Sequence, residues 1–314
     1  MIIYKNNSWF ASIYHFHTGP TSRALLRRVL LILVYVTAVT VGELNFYDLT
    51  LKDTPSSFLS ALGILLSLLL IFRTNTAYDR FYEGRTAWGA LINNTRNLAI
   101  YLDAVLPNND KENRLFFART IANFSFAVRN HLRDIQTLDD IEDTPTNNQY
   151  STSHNDLSRF DHKPAGVSNQ IRVRIEELHH NGLLDISQHI NVNGYVTSLM
   201  DVCGICERIK STPIPFSYQF FIRLFIMLYV AVLPFIVIDA YGYLTIPAVV
   251  LTSYILVGLE MIGEEIEEPF GMERNDLPMS QLAQLIRVNA HDILQISLPH
   301  VEKVAAKPGF VVVS

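Results

Sequence analysis

Residues 58–72 read Phe58-Leu-Ser-Ala-Leu-Gly-Ile-Leu-Leu-Ser-Leu-Leu-Leu-Ile-Phe72, a run without a single charge. Bulky side chains recur at Phe58, Leu62, Leu65, Leu69 and Phe72, at spacings of 4, 3, 4 and 3, which is a heptad seam on a helix. Ser60, Gly63 and Ser67 lie about half a turn away, small enough for a neighbouring helix to come close in lipid. Two readings of the seam stay open. It faces lipid or the core of a helix bundle, or copies around an axis make it a dry apolar ring that gates by dewetting. No Gly or Pro occurs between Phe72 and Tyr82. The helix therefore need not end at the lipid boundary and is expected to continue into water.

Three further apolar stretches surround it. Ala24 to Val41 has Arg27 and Arg28 as its charges, Phe216 to Ile238 has Arg223, and Tyr243 to Gly263 has Glu260. Crossing the hydrocarbon takes about 20 residues at about 1.5 Å each, which these stretches approach or reach. The last two are joined by Asp239-Ala-Tyr-Gly-Tyr243 and read as a membrane hairpin. Buried helices of a soluble bundle are the competing reading, and the two back-to-back apolar runs argue against it. The first run follows about twenty mostly polar and aromatic residues and has no small-residue cleavage pattern, so it reads as a retained helix.

Composition agrees with a chain half in lipid. Of 314 residues, 49% are apolar and only 18% charged, against about 25% in soluble proteins. Mean hydropathy is +0.19, modest for a chain lying wholly in a bilayer. A net charge of −5 gives no case for nucleic-acid binding, and two cysteines exclude a disulfide scaffold. Lys and Arg sort the ends. Arg23, Arg27 and Arg28 start the first stretch, Arg73, Arg80, Arg85 and Arg96 follow the second, Arg208 and Lys210 precede the third, and Arg274 and Arg287 follow the fourth. The first external loop carries only Lys52. Four crossings with both termini cytosolic satisfy every segment.

The expected division is a cytosolic segment at 1–22, membrane helices 1 and 2 in 23–72, a cytosolic helical domain at 73–214, membrane helices 3 and 4 in 215–263, and a cytosolic segment at 264–314. In the cytosolic domain, Ala87–Leu106, Asn113–Leu132 and Gln170–Ile209 show apolar spacing of three and four. Asn181-Gly182 and Asn193-Gly194 mark breaks in the last of these, and the polar run from Asp134 to Pro164 reads as a loop. No strand pattern is long enough to argue for a sheet.

Four segments then carry a resemblance: Phe72-Arg-Thr-Asn-Thr-Ala-Tyr-Asp-Arg-Phe81, Glu83-Gly-Arg-Thr-Ala-Trp-Gly-Ala90, Cys206-Glu-Arg-Ile-Lys-Ser-Thr-Pro-Ile-Pro215 and Ile266-Glu-Glu-Pro-Phe-Gly271. In this order the sequence resembles the bestrophin family, in its prokaryotic branch, over about residues 20–290. The resemblance implies an all-α membrane protein: a homopentamer with four transmembrane helices per subunit and a cytosolic helical domain around one central pore. It implies a multi-pass protein of the bacterial inner membrane that passes small monovalent ions. Chloride and other anions are the family habit. A cation-conducting channel of the same architecture, passing sodium for example, and a non-conducting carrier or regulator are the alternatives. The implied partners are further copies of the chain, membrane lipid and the permeant ions, without nucleic acid, cofactor or enzymatic activity.

Residue by residue, the resemblance places the pore neck at Ser57, Ala61 and Leu65, with Leu69 next on the seam and Leu62 and Leu66 as the alternative register. It places the cytosolic constriction at Ile171, with Ile175 as fallback. Arg73, Arg80, Glu207, Arg208, Pro213, Pro215, Pro269, Phe270 and Gly271 are the structural residues of the matching motifs. Animal relatives hold calcium with an acidic run after a similar Pro-Phe-Gly. Here Glu273 and Asp276 keep two acids, but Arg274 stands between them, which disfavours a cation that takes six to eight oxygens. No metal is therefore expected.

Other chemistry-bearing residues are weaker signals. Cys203-Gly-Ile-Cys206 lacks a second CxxC and a nearby His, so a complete zinc site would need ligands from elsewhere, and packing is the preferred reading. His15, His17, His179 and His180 read as surface or interface residues. Glu264 to Glu268 either attract cations to a pore mouth or pair with Arg73, Arg80 and Arg85, and pairing is preferred. No phosphate loop or catalytic motif occurs.

Overall fold

The computed structural model describes residues 20–46, 56–143, 157–273 and 275–298, together with two short strands at 2–3 and 311–312. The helices are α1 (Pro20–Asn45), α2 (Ser56–Val105), α3 (Lys111–Leu132), α4 (Lys163–His180), α5 (Ile186–Ser211), α6 (Phe216–Tyr241), α7 (Thr245–Glu267) and α8 (Met279–Ile293). The only β pairing among the described residues is Ile2–Ile3 against Val311–Val312, antiparallel. His15, His17 and Lys52 lie outside the described residues, as does Arg274.

The chain forms two compact units, one of residues 4–81 and 213–268, the other of 1–3, 82–212 and 269–314. Helix α2 contributes to both. It runs 50 residues without interruption, about 75 Å at 1.5 Å per residue. The uncharged run and the polar stretch after Phe72 are thus one element, as the missing helix breakers imply.

The first unit holds α1, the start of α2, α6 and α7. Leu25, Leu66, Leu70, Ile222, Ile226, Val257 and Met261 form one core cluster. Val36, Leu59, Leu233 and Val249 form another. Much of its outer surface is also apolar: Leu30, Leu31, Val34, Ile64, Met227 and Leu251 are all more than half exposed. Such a surface is stable against lipid, not against water. Three stretches, Thr21–Asn45, Ser57–Val105 and Phe216–Glu267, are long and apolar enough to cross a membrane. The third is divided by a 3-10 turn at Gly242–Leu244. Gly242 takes φ +51°, a left-handed conformation that glycine adopts at no steric cost. α6 and α7 then fold back on each other as a hairpin.

The second unit is built on α3, which packs against α8, α4 and α5. Trp88, Leu91, Phe117, Ile121 and Phe124 are fully buried in it. Asp110 caps α3 by accepting the Asn113 N–H. Asp185 and Gln188 form a reciprocal capping box at the start of α5. The expected break at Asn181-Gly182 is present, with Gly182 at φ +73°. The expected break at Asn193-Gly194 is absent, and α5 runs through it. Val192 and Val196 are buried on either side of Gly194, and their packing outweighs the roughly 1 kcal/mol that a mid-helix glycine costs.

Candidate pore face and its anchors

The faces of α2 are sharply divided within the first unit. Leu59, Leu66 and Leu70 point into the core, at 7%, 0% and 2% exposure. Ser57, Ala61 and Leu65 lie on the exposed side. Phe58, Ile64, Leu68, Ile71 and Phe72 are also exposed, while Leu62 and Leu69 are half-buried. The seam is therefore not the core of the subunit. This corrects one alternative: Leu66 is enclosed by the subunit's own helices and cannot line a pore.

Gly63 stands on a third face. A Cβ there would come within 2.9 Å of the Tyr229 hydroxyl, so a hydrogen at this position lets α6 pack close. Ser67 spends its hydroxyl on the Gly63 carbonyl at 2.8 Å.

Below the apolar run, charges are gathered on one acid. Arg73 Nη1 is 3.0 Å from Glu260 Oε1, and both side chains are buried. Arg223 Nε reaches the same oxygen at 2.7 Å, and Arg28 lies 3.5 Å from Oε2. Arg223 also pairs with Glu264 at 2.6 Å, and Arg73 lies 3.8 Å from Glu267. Glu264 and Glu267 of the acidic run are thus paired, as preferred from the sequence, with Arg223 added to the expected Arg73. Arg80 donates to the Glu267 carbonyl at 3.0 Å, and Arg85 is exposed.

Glu267 has a second task. In Pro213-Ile214-Pro215 only Ile214 keeps a backbone N–H. Glu267 accepts it at 3.0 Å and also takes the Gln219 amide at 2.8 Å. The carboxylate thereby fixes the chain where α6 begins.

In the second unit, Glu83 and Arg208 form an exposed ion pair. Pro269 and Phe270 are buried, and Gly271 is half-buried. A Cβ on Gly84 would meet the Phe270 ring at 3.2 Å, so the glycine of one motif makes room for the phenylalanine of another. Asp276 turns into its own loop and accepts the Glu273 N–H at 2.6 Å. Its charge also acts on Arg133, whose pKa is lowered mainly by burial. Glu273 is exposed.

The expected cytosolic constriction needs correction. Ile171 and Ile175 are both 0% exposed, packed inside the unit by the inner face of α4. A ring residue must reach water, and neither does. Exposed isoleucines of this unit include Ile186 at 60% and Ile190 at 63%, on the first two turns of α5. Exposed apolar residues on a well-capped helix start are the signal that sequence periodicity did not supply.

Cys203 and Cys206 are buried free thiols. Burial pushes both pKa values up, that of Cys206 to about 12, which fits packing residues and not reactive ones. His179 and His180 satisfy backbone carbonyls of Leu184 and Glu176. Glu207 binds two histidines, His131 and His162, which no spacing in the sequence brings to it.

The sequence profile of the bacterial and fungal bestrophin proteins matches residues 1–292. The chain belongs to the bestrophin family. It is 32% identical to a voltage-dependent anion channel-forming protein of Nostoc sp. (strain PCC 7120), over 92% of each chain. It is 30% identical to a protein of the same description from Salmonella typhi, over 95% of this chain and 94% of that one. Among solved structures, a variant of a bacterial bestrophin homologue from Klebsiella pneumoniae superposes with a TM-score of 0.78 at 25% identity. The overlay covers 86% of this bestrophin and 98% of the homologue.

Proposed function

We propose that this bestrophin is a pentameric channel for small monovalent anions such as chloride, crossing the bacterial inner membrane four times with both termini cytosolic. The observation that carries the reading is the division of α2. Its core is complete on one side through Leu59, Leu66 and Leu70, yet a second apolar face with Ser57, Ala61 and Leu65 is left outward. Five such faces around an axis would form a neck whose widest part is at the small Ser57 and Ala61 and whose tightest ring is Leu65. The description of two relatives as anion channel-forming proteins supports reading the ions as anions.

A neck of this composition carries no formal charge. Selection would rest on width and on dipoles or charges flanking it. The carrier reading requires a polar site able to take up and release a substrate. Its two candidates from the sequence, Glu260 and Arg223, are bonded to each other at 2.7 Å, which favours a structural task for both. The second constriction in this reading is the Ile186 and Ile190 turn, where two exposed isoleucines sit on a helix start held by a capping box.

Two measurements test the proposal. Light scattering on the detergent-solubilised protein should give five subunits, and any other number removes the five-copy neck. Ile186→Ala and Ile190→Ala, recorded in lipid bilayers, should change conductance if that turn lines the ion path. Unchanged currents in both would place the lower constriction elsewhere.

A further inference from the structure

We infer that His131, His162 and Glu207 form a site for a divalent transition metal, zinc in the first instance, and that filling it releases the N-terminal cap of α4. The three side chains come from three places in one unit: the last turn of α3, the residue before α4, and the last third of α5. His131 Nε2 lies 2.7 Å and His162 Nε2 2.5 Å from the same Glu207 oxygen. The two imidazole rings are 4.5 Å apart. Two neutral nitrogens and one carboxylate are the ligand types of zinc sites, whereas calcium takes oxygens. Each side chain is held by a helix or a cap, so the three are preorganised without the ion.

Access is present as well. His131, His162 and Glu207 are 31%, 35% and 35% exposed, so an ion can arrive from solvent. Cys203, one turn before Glu207 on α5, is a buried free thiol at 0% exposure. The fourth position falls to water on the open side. Around a tetrahedral zinc with bonds of about 2.0 Å, ligand atoms sit about 3.3 Å apart. The two contacts to Glu207 must then lengthen by some tenths of an ångström, which side-chain torsions supply.

The consequence for α4 follows from one proton. His162 Nδ1 accepts the Ala165 N–H at 3.0 Å and so caps the helix. Its ring proton is therefore on Nε2 and donated to Glu207. A metal on Nε2 displaces that proton, and a neutral ring must then carry its proton on Nδ1, where it can no longer accept. Ala165 loses its partner, so the metal and the cap exclude each other.

The test uses tag-free, full-length protein stripped with EDTA and titrated with zinc chloride, with bound metal counted by mass spectrometry. One zinc per subunit is expected, weakened at least about tenfold in Glu207→Gln and in His131→Gln. Glu176→Gln, which alters the separate His189 pair, should leave it unchanged. Amide exchange across residues 163–167 should speed up with zinc. No retained zinc in the wild type, or zinc binding indifferent to Glu207→Gln and His131→Gln, overturns the site. Zinc bound with unchanged exchange overturns the link to α4. Should the variants not fold, cobalt(II) added to the wild type decides: intense visible bands of a tetrahedral ion support the site, and only the weak bands of hydrated cobalt refute it.

Discussion

Arg73 and Glu260 tie α2 to α7 through a 3.0 Å contact at 1% and 3% side-chain exposure. They sit directly below the uncharged run of α2, so the register of the proposed pore face is set by an ion pair one residue past its end. Neither charge can be left alone there. A buried pair that loses one partner keeps the other's desolvation cost without its compensation.

Glu260→Ala should destabilise the protein by about 3–5 kcal/mol, because it strands Arg73 together with part of Arg223. Arg28→Ala should cost less than about 1 kcal/mol, since Arg28 is half exposed and more distant at 3.5 Å. Thermal unfolding in detergent, followed by the loss of a monodisperse peak, ranks the two. Equal losses would mean that the acid is not held chiefly from the α2 side.

Gly84→Ala tests the contact between two motifs that are far apart in the chain. Alanine favours a helix over glycine by about 1 kcal/mol, but its Cβ meets the buried Phe270 ring at 3.2 Å and Pro269 at 3.3 Å. Overpacking of this kind costs about 1–3 kcal/mol, so a net loss is expected. Phe270→Leu should recover part of it in the double variant. A stabilised single variant would show that the ring yields freely.

Acid should weaken the second unit through His291. Its pKa is lowered by burial first, and by the charges of Arg287 and Arg119, against a hydrogen bond to the Arg287 carbonyl. The folded state thus holds it neutral, while the unfolded chain takes up a proton below about pH 6.5. The contribution is complete above that pH and fades as pH falls towards the depressed folded value. Melting temperatures from pH 7.5 to 5 should fall more steeply in the wild type than in His291→Asn. Parallel slopes would assign the acid sensitivity to other groups.

Much of the membrane unit was legible in the sequence, and for a physical reason. Apolar length decides a crossing, and the lack of Gly or Pro after Phe72 decides that α2 continues. The side on which a residue faces was less legible. Leu65 and Leu66 are adjacent and chemically identical, yet one is 48% exposed and the other 0%. The placement of α1, α6 and α7 separates them. Ile171 and Ile175 failed for the same cause: their spacing marks an apolar face of α4, and that face turned out to be the one packed within the subunit. His131 and Glu207 stand 76 residues apart, so their meeting depends on how α3 and α5 cross. No local pattern encodes it. Asn193-Gly194 misled in the opposite direction, because a strong local turn signal was overruled by packing on both sides.

Planar-bilayer recording of the purified protein under a KCl gradient, for the wild type and Leu65→Ala, tests the central claim most directly. The account predicts ohmic currents with a reversal potential on the chloride side and a larger conductance in the variant, whose neck is wider by the lost isopropyl groups. A silent bilayer with folded, oligomeric protein would contradict the channel. A potassium-side reversal would contradict anion selectivity, and equal conductance in both proteins would contradict a neck at Leu65.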